Sequence, residues 1–233
     1  MTSRLDRSLI KGMHLFREME DDALQRLLDA AQPRRLESGD LVFTQGEEAR
    51  HFFVLLDGRL KVTQATPTGE QIVVRHVVPG EVFGIARAIR RSDYPGTAVA
   101  VTESLALAWP SAQWDGFVAD NPSLAVNALQ TVGQRLQDAH SRIRELSTEE
   151  VERRVAHAIL RLMQQAGRKT GDGIAIDLPL TRQDLAEMSG TTLHTVSRLL
   201  SAWHEKGLVA GGRRQVTVTD PHRLFMLAEG RGG

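Results

Sequence analysis

The chain has 233 residues, of which 41% are hydrophobic, so it is long enough for one large or two ordinary domains with real cores. Lysine plus arginine equals aspartate plus glutamate, 29 against 29, so the overall charge gives no support for binding to nucleic acid. Cysteine is absent, which excludes disulfides, thiolate-bound zinc and cysteine-ligated iron–sulfur clusters. We see no long apolar run and no charged-then-apolar leader, and we therefore expect no membrane span, no secretory signal and a cytoplasmic location.

The first half of the chain changes from a helical to a strand-like pattern. Residues 1–32 read as helical, and Pro33 is expected to end that segment. From residue 36 to about residue 114, short runs rich in β-branched and aromatic residues alternate with turn residues. These runs are LVF, HFFVLLDG, RLKVTQA, QIVVRHVV, TAVAVTE and LALAW. Strands at this spacing predict a β-sandwich or jelly roll.

A long helix is predicted to begin at the Asn121-Pro122 pair, because asparagine caps a helix and proline suits its first position. Apolar residues then recur at alternating spacings of four and three for three heptads. They are Ala125, Leu129, Val132, Leu136, Ala139, Ile143 and Leu146. A seam of this kind suits pairing with a second copy of the helix, and we expect Leu129, Val132, Leu136 and Ile143 to form that contact. Packing on the chain's own β-domain is the alternative interpretation.

Three shorter features follow the long helix. Ser147 and Glu150 have the spacing of a capping box, so we expect a new helix to begin near Thr148. The glycine-rich residues 167–173 read as a flexible loop, and residues 174–178 read as a short strand.

Residues 180–207 read as two short helices joined by a tight turn. Thr181 can cap the first helix, with Leu180 and Leu185 as a hydrophobic staple. Ser189-Gly190-Thr191 lets the backbone turn sharply, and Thr191 or Thr192 can cap a second helix that runs to Gly207. Two helices joined in this way form the helix-turn-helix pattern.

The second of these helices has two distinct faces. Its apolar stripe consists of Val196, Leu199, Leu200 and Trp203. The opposite face carries His194, Ser197, Arg198 and Ser201. These are short or forked hydrogen-bonding side chains, which is what a helix in the DNA major groove uses to recognise base edges. An ordinary solvated face is the alternative.

A β-hairpin is predicted to follow the two helices, because Leu208-Val209 and Val216-Thr217-Val218 flank a glycine turn. Arg213 and Arg214 at its tip could contact phosphates, which position a protein on a duplex without reading its sequence. A solvated hairpin tip is the alternative. Residues 220–229 read as a last short helix.

The order of β-sandwich, long helix and winged helix-turn-helix resembles the CRP/FNR family of bacterial transcription regulators. The likeness covers nearly the whole chain. It also rests on local motifs, namely Gly39, Gln45-Gly46-Glu47, Leu56-Asp57-Gly58, Pro79-Gly80-Glu81-Val82-Phe83-Gly84 and Thr195-Val196-Ser197-Arg198-Leu199-Leu200.

The resemblance implies a mixed α+β fold with three parts. These are an effector-sensing β-roll at residues 1–120, a dimerisation helix at 121–146 and a winged helix-turn-helix DNA-binding domain at 147–233. It also implies a homodimer that binds near-palindromic double-stranded DNA under the control of a small effector, and that contacts RNA polymerase if it is an activator.

The resemblance assigns roles to residues on the DNA-binding side. Arg198 lies at the family's guanine-contacting arginine, and Ser197 matches the FNR branch. His194 departs from the family, since many members carry a glutamate there, so we expect the preferred half-site to differ at that base. The expected DNA contacts are Thr181, Arg182, Gln183, Thr192, His194, Thr195, Ser197, Arg198, Arg213 and Arg214.

The effector pocket departs from the pattern of the members that bind cAMP. Those members have a glutamate for the ribose and an arginine followed by serine or threonine for the phosphate, where this chain has Ile85 and Gly96-Thr97. A cyclic phosphate would be left unpaired, so we expect no cAMP binding in the family's usual mode. The expected pocket residues are Gly84, Ile85, Gly96, Thr97, Arg135, Ala139 and His140.

A haem cofactor is one candidate in place of the nucleotide. The sequences Tyr94-Pro95-Gly96-Thr97-Ala98 and His14-Leu15-Phe16 resemble the denitrification-regulator branch, which responds to NO. Imidazole is the ordinary haem ligand, and the candidates are His14, His76 and His140, in that order. Surface or hydrogen-bonded histidines are the alternative, and the effector stays open.

Two other classes of function compete with a DNA-binding regulator. The chain could be a regulatory module that binds an effector and whose helix-turn-helix contacts protein instead of DNA. It could also be an enzyme, but no P-loop, His-Glu-x-x-His motif, paired-carboxylate motif or serine triad stands out, so we do not expect catalysis.

Overall fold

The computed structural model describes residues 10–67, 69, 71–212 and 214–231. The chain divides into two compact units. The N-terminal unit contains Met1–Thr68 and Arg75–Asp138, and the C-terminal unit contains Gly69–Val74 and Ala139–Gly233. The division therefore falls inside the long helix and inside one strand of the β-roll.

The N-terminal unit is a jelly roll, as the sequence predicts. Its elements are α1 (Asp21–Asp29), β1 (Gln32–Leu36), β2 (Leu41–Phe43), β3 (His51–Asp57), β4 (Leu60–Ala65), β5 (Gln71–Val77), β6 (Val82–Phe83), β7 (Thr97–Ala100), β8 (Ser104–Pro110) and α2 (Trp114–Asp120). The strands form two four-stranded sheets in the orders β1-β8-β3-β6 and β2-β7-β4-β5. The six runs chosen from the sequence correspond to β2, β3, β4, β5, β7 and β8, so this part of the prediction is confirmed.

Two apolar clusters form the core of this unit. One contains Phe43, Phe53, Phe83 and Tyr94, whose rings stack on one another, with 3.8 Å between the centroids of Phe43 and Tyr94. The other joins β3 and β8 to the N-terminal helical segments and the start of the long helix. Trp109 lies fully buried in that second cluster, and its indole N–H donates to the carbonyl of Leu27 at 2.7 Å.

The expected helix over residues 1–32 is wrong in extent. A single 3₁₀ turn covers His14–Phe16, α1 ends at Asp29, and Pro33 lies inside strand β1, paired with Leu107. The first nine residues of the expected helix lie outside the described part. A proline is tolerated in β1 because that strand is at the edge of its sheet. Four of its five residues are exposed, so it shows no alternating apolar pattern that would reveal a strand.

The long helix α3 spans Pro122–Thr148, so its predicted start at Pro122 is confirmed. The capping box predicted at Ser147 is wrong, because the hydroxyl of Ser147 donates to the carbonyl of Ile143 and that of Thr148 donates to Arg144, both one turn back in α3. These bonds continue the helix instead of starting a new one. The next helix, α4, spans Val151–Ala166.

The C-terminal unit continues from α4 into a winged helix-turn-helix. Its remaining elements are β9 (Gly167–Thr170), β10 (Gly173–Ile176), α5 (Arg182–Ser189), α6 (Leu193–Glu205), β11 (Val209–Ala210), β12 (Thr217–Val218) and α7 (Pro221–Ala228). The four strands form one antiparallel sheet in the order β11-β12-β10-β9. The predicted last helix is confirmed as α7, where Asp220 caps the first turn.

The flexible loop predicted for residues 167–173 is wrong. Residues Gly167 to Thr170 are strand β9, which pairs with β10 through a tight turn. All four residues of β9 are exposed, so the hydrogen bonds of the ladder define this strand without any apolar pattern. Within the described residues, no helix is both long enough and apolar enough to span a membrane.

Candidate DNA-binding surface and effector pocket

The first helix of the helix-turn-helix, α5, begins where the sequence predicts. Thr181 Oγ1 accepts a hydrogen bond from the backbone N–H of Asp184 at 3.0 Å, and an Asp184 carboxylate oxygen accepts from the Thr181 N–H at 2.9 Å. The side chain of each residue thus accepts a hydrogen bond from the backbone N–H of the other, at the end of the helix where N–H groups lack partners. Leu180 and Leu185 are both buried, which places the helix start firmly on the core of the unit.

The turn between α5 and α6 requires glycine at position 190. Gly190 has φ +59°, in the left-handed region that side chains rarely adopt. A Cβ there would also lie 2.7 Å from a methyl group of Leu146, on the long helix. Thr192 then caps α6, since its hydroxyl accepts from the N–H of Thr195 at 3.2 Å. Of the two threonines considered as caps, the structure selects Thr192.

Helix α6 buries three of the four residues of its predicted apolar stripe, with Leu199 half-buried, and it exposes most of its predicted polar face. Val196, Leu200 and Trp203 are buried, and the Trp203 indole N–H donates to a carboxylate oxygen of Glu152 at 2.9 Å. His194, Arg198 and Ser201 are exposed, while Thr195 and Ser197 are half-buried. The helix therefore presents an imidazole, a guanidinium and hydroxyl groups to solvent, while its opposite face is anchored in the core.

Helix α6 is followed by a glycine in the left-handed conformation. The chain then enters the hairpin of β11 and β12, which we call the wing. Gly207 has φ +68°, and the N–H groups of Gly207 and Leu208 donate back to the carbonyls of His204 and Trp203. Strands β11 and β12 pair antiparallel, as the sequence predicts. Arg214 is exposed in the turn between them, and Arg213 lies outside the described residues.

A cavity of about 320 Å³ lies among α5, α6 and the wing. Its apolar floor includes Leu185, Leu200 and Val216, and Arg182, Ser201 and His204 are among its polar lining. Arg182 and Gln183 are both exposed in the first turn of α5, and Gln183 donates to Glu187 at 2.9 Å. The structure thus brings Arg182 and helix α6 to one concave surface.

The sequence predictions missed the two arginines that hold this turn in place. Arg142 of α3 donates to the carbonyl of Met188, and Arg154 of α4 donates to the carbonyls of Ser189 and Gly190. Nothing in the sequence distinguishes either from a surface arginine, because each acceptor is a main-chain atom far away in the chain.

The expected effector pocket begins at Gly84-Ile85, directly after β6. Gly84 has φ +68°, and a Cβ there would lie 3.0 Å from the ring of Phe53 and 3.2 Å from that of Phe43. Ile85 is 5% exposed and belongs to the apolar cluster that includes Leu15 and Phe16. Ile85 stands where the resemblance places a ribose-binding glutamate, and its side chain packs in the apolar core instead.

The second part of the expected pocket, Gly96-Thr97, lies against strand β4 and the turn before β3. A Cβ at Gly96 would lie 2.8 Å from the carbonyl oxygen of Thr63, so this position requires glycine. The hydroxyl of Thr97 accepts from the backbone N–H of Gln45 at 3.0 Å. Both residues thus have structural roles where the cAMP-binding members hold a phosphate.

Arg135 is the predicted pocket residue with the most perturbed electrostatics. Its guanidinium and that of Arg75 both donate to the carbonyl of Val82, at 2.5 Å and 3.2 Å. Arg75 also forms an ion pair with Glu81 at 2.9 Å. Burial, and secondarily the positive charge of Arg75, lower the pKa of Arg135 to about 9. Two cations therefore converge on one carbonyl oxygen beside a single carboxylate.

The three candidate haem ligands lie in different settings. His14 is exposed in the 3₁₀ turn near the N-terminus, and His76 is buried in β5. His140 is exposed on α3, as is its neighbour Ala139, and both belong to the C-terminal unit. Among the described residues, no group of three or more histidine, aspartate or glutamate side chains could hold a metal ion.

The predicted dimer seam lies largely in solvent. Leu129, Leu136 and Ile143 are 71%, 56% and 61% exposed, and they recur every seven residues. Val132 differs, because it is partly buried against the core of the N-terminal unit. Leu146 is exposed and also approaches Gly190.

Comparison with known proteins assigns both units to the same family. The sequence-family model of the cyclic nucleotide-binding domain matches residues 33–121. The family model of the Crp-like helix-turn-helix domain matches residues 153–227. A global nitrogen regulator of Synechococcus elongatus is 30% identical over 212 residues, which covers 90% of this chain and 93% of the relative. A CRP-like cAMP-activated global transcriptional regulator of Mycobacterium tuberculosis is 24% identical over 214 residues, with 92% and 96% covered.

A solved structure shows the same fold at lower identity. FixK2 from Bradyrhizobium japonicum superposes with a TM-score of 0.76 at 21% identity, covering 84% of this chain and 96% of that one. Together, the two family models and the curated relatives define a DNA-binding transcription regulator. The chain belongs to the CRP/FNR family of such regulators, which are not enzymes. The resemblance to the denitrification-regulator branch stays a prediction.

Proposed function

We propose that the protein acts as a homodimer that pairs through α3 and binds near-palindromic DNA with two recognition helices. The observation that carries this proposal is the seam of large apolar side chains that α3 exposes at heptad spacing, Leu129, Leu136 and Ile143. Such a seam is stabilised when a second copy of the helix covers it. A two-fold dimer would place the recognition helices about 34 Å apart, one turn of DNA.

We propose that base recognition rests on His194, Ser197 and Arg198, and that Arg182 and Arg214 contact phosphates. Exposure of Arg198, His194, Arg182 and Arg214 supports this assignment. The guanidinium of Arg198 can bind a guanine with two hydrogen bonds. An imidazole in place of glutamate removes a fixed acceptor for cytosine, so the half-site should differ from the common family sequence at that base.

We propose that the effector binds in the N-terminal unit as a small anion and that cAMP is not bound in the family's usual mode. Ile85 and Thr97 are already committed to the apolar core and to Gln45. The converging guanidinium groups of Arg75 and Arg135 instead offer charge to a carboxylate or phosphate. An anion there would offset the repulsion and burial that lower the pKa of Arg135.

Separate measurements test the DNA assignments and the effector assignment. Selection from random duplexes should recover an inverted repeat, and recovery of the standard family half-site would contradict the role of His194. Absorption spectra and mass spectrometry of the purified protein identify what copurifies with it, and we expect a small anion. An added small anion of that class should raise the thermal unfolding temperature of the wild type, and Arg135→Gln should lose that effect. A Soret band that disappears in His14→Ala would instead establish haem. We further propose a cytoplasmic location, no catalytic activity, and contact with RNA polymerase if the regulator is an activator.

A further inference from the structure

Three consecutive carbonyl groups at the helix-turn-helix turn accept hydrogen bonds from arginines on other helices. Arg142 Nη2 lies 3.2 Å from the oxygen of Met188. Arg154 Nε and Nη2 lie 2.9 Å and 3.1 Å from the oxygens of Ser189 and Gly190. The last carbonyls of a helix lack partners within it and carry the negative end of the helix dipole, so two cations stabilise this end of α5.

Arg142 binds a second segment that Arg154 does not reach. Its guanidinium donates to the carbonyls of Val73 and Val74 in strand β5, in addition to Met188. By packing, Val73 and Val74 belong to the C-terminal unit, whereas residues 75–77 of the same strand belong to the N-terminal unit. Arg142 therefore joins the turn before the recognition helix to a strand that continues into the β-roll.

The bonds of Arg142 require a guanidinium. All three acceptors are neutral main-chain oxygens, which lie on two separate segments of chain. Arginine presents five N–H donors in a rigid fork, so one side chain can hold both segments, whereas the single ammonium of lysine cannot match that geometry. Burial, and secondarily the charge of Arg161, lower the pKa of Arg142, which shows that the site holds a cation at some cost.

We propose that Arg142 is a positioning residue for DNA binding, because it ties strand β5 to the helix-turn-helix turn and so makes the placement of α6 depend on β5. Arg154 holds the same turn from within α4 and has no bond to β5, so it fixes the turn without that dependence. This role of Arg142 rests on DNA binding by the protein and does not depend on which effector is bound.

The test compares Arg142→Ala with Arg144→Ala, which removes the same charge from an exposed neighbour on α3. DNA affinity is measured on the duplex selected by the wild type, over a range of salt concentrations. Amide hydrogen exchange is measured in peptides covering residues 71–76 and 186–192. We expect Arg142→Ala to weaken binding about tenfold and to raise exchange in both peptides, with Arg144→Ala close to wild type. We expect Arg154→Ala to raise exchange only in the second peptide.

The salt dependence separates positioning from direct contact. Loss of a phosphate contact lowers the slope of log affinity against log salt by about one, whereas loss of a positioning residue leaves the slope unchanged. If Arg142→Ala does not fold, Arg142→Lys is used, and it should raise exchange in the 71–76 peptide because lysine lacks the fork. Unchanged affinity, a reduced slope, or unchanged exchange at 71–76 would each overturn the proposal. A wild type that binds no duplex would overturn the DNA-binding function itself.

Discussion

Replacement of Leu136 with alanine tests whether α3 is the dimer helix. Leu136 is 56% exposed in the single chain. Full burial of a leucine side chain contributes roughly 1.5–3 kcal/mol, so burial of the exposed part contributes about 1–1.5 kcal/mol. A symmetric dimer buries this residue twice. Alanine should therefore cost roughly 2–3 kcal/mol of association free energy, which corresponds to a dimer weaker by about 30- to 150-fold.

The assay is sedimentation equilibrium or mass photometry over a range of protein concentrations. Gln137→Ala provides the matched control, because Gln137 is the next residue of the same helix, is exposed, and lies off the heptad seam. Circular dichroism should show unchanged helix content for both variants at concentrations where the dimer persists. Equal dissociation constants for Leu136→Ala and the control would refute the assignment of α3 as the dimer helix.

Three further predictions concern single side chains. His194→Glu should shift the selected half-site toward the common family sequence at one base pair, and an unchanged selection would show that position 194 does not read that base. Thr181→Val removes the capping box and should lower the free energy of unfolding by about 1 kcal/mol, measured by urea denaturation. Tyr94 is the only tyrosine, and burial raises its pKa, so its ultraviolet titration in the folded protein should have a midpoint above that of the unfolded chain. Because the folded state favours the protonated phenol, stability should fall as pH rises past the unfolded pKa of about 10, and Tyr94→Phe should remove that contribution.

The parts of the fold that the sequence predicts well are those with a strong local signal. Runs rich in β-branched and aromatic residues identify six strands. The cap at Thr181, a second cap at Thr191 or Thr192, and the glycines at 190 and 207 define both helices of the helix-turn-helix. Strands β1 and β9 carry no such signal, since nearly all their residues are exposed and only backbone pairing defines them. The pattern of apolar residues therefore indicates which strands are buried. It misses a strand that lies at the surface and is held only by backbone hydrogen bonds.

The effector pocket is harder to predict because a substituted residue can take on a new role. Ile85 and Thr97 occupy positions that hold a nucleotide in other members of the family, yet here one packs in the core and the other accepts a backbone hydrogen bond. Comparison by position predicts that the residues which bind cAMP in other members are replaced here. It does not show that Arg75 lies beside Arg135, because the two meet only through the carbonyl of Val82.

The arginines of the C-terminal unit explain why the balanced charge of the chain says little about DNA binding. Arg142, Arg153 and Arg154 donate to main-chain carbonyls, so part of their bonding capacity stabilises the fold. Arg182 and Arg198 are exposed, in helices α5 and α6, and we propose that they contact the duplex. The charge that meets phosphates is therefore set by which guanidinium groups the fold leaves at the surface. The salt dependence of binding should fall on substitution of Arg182 and stay constant on substitution of Arg142, although both substitutions change the net charge by the same amount.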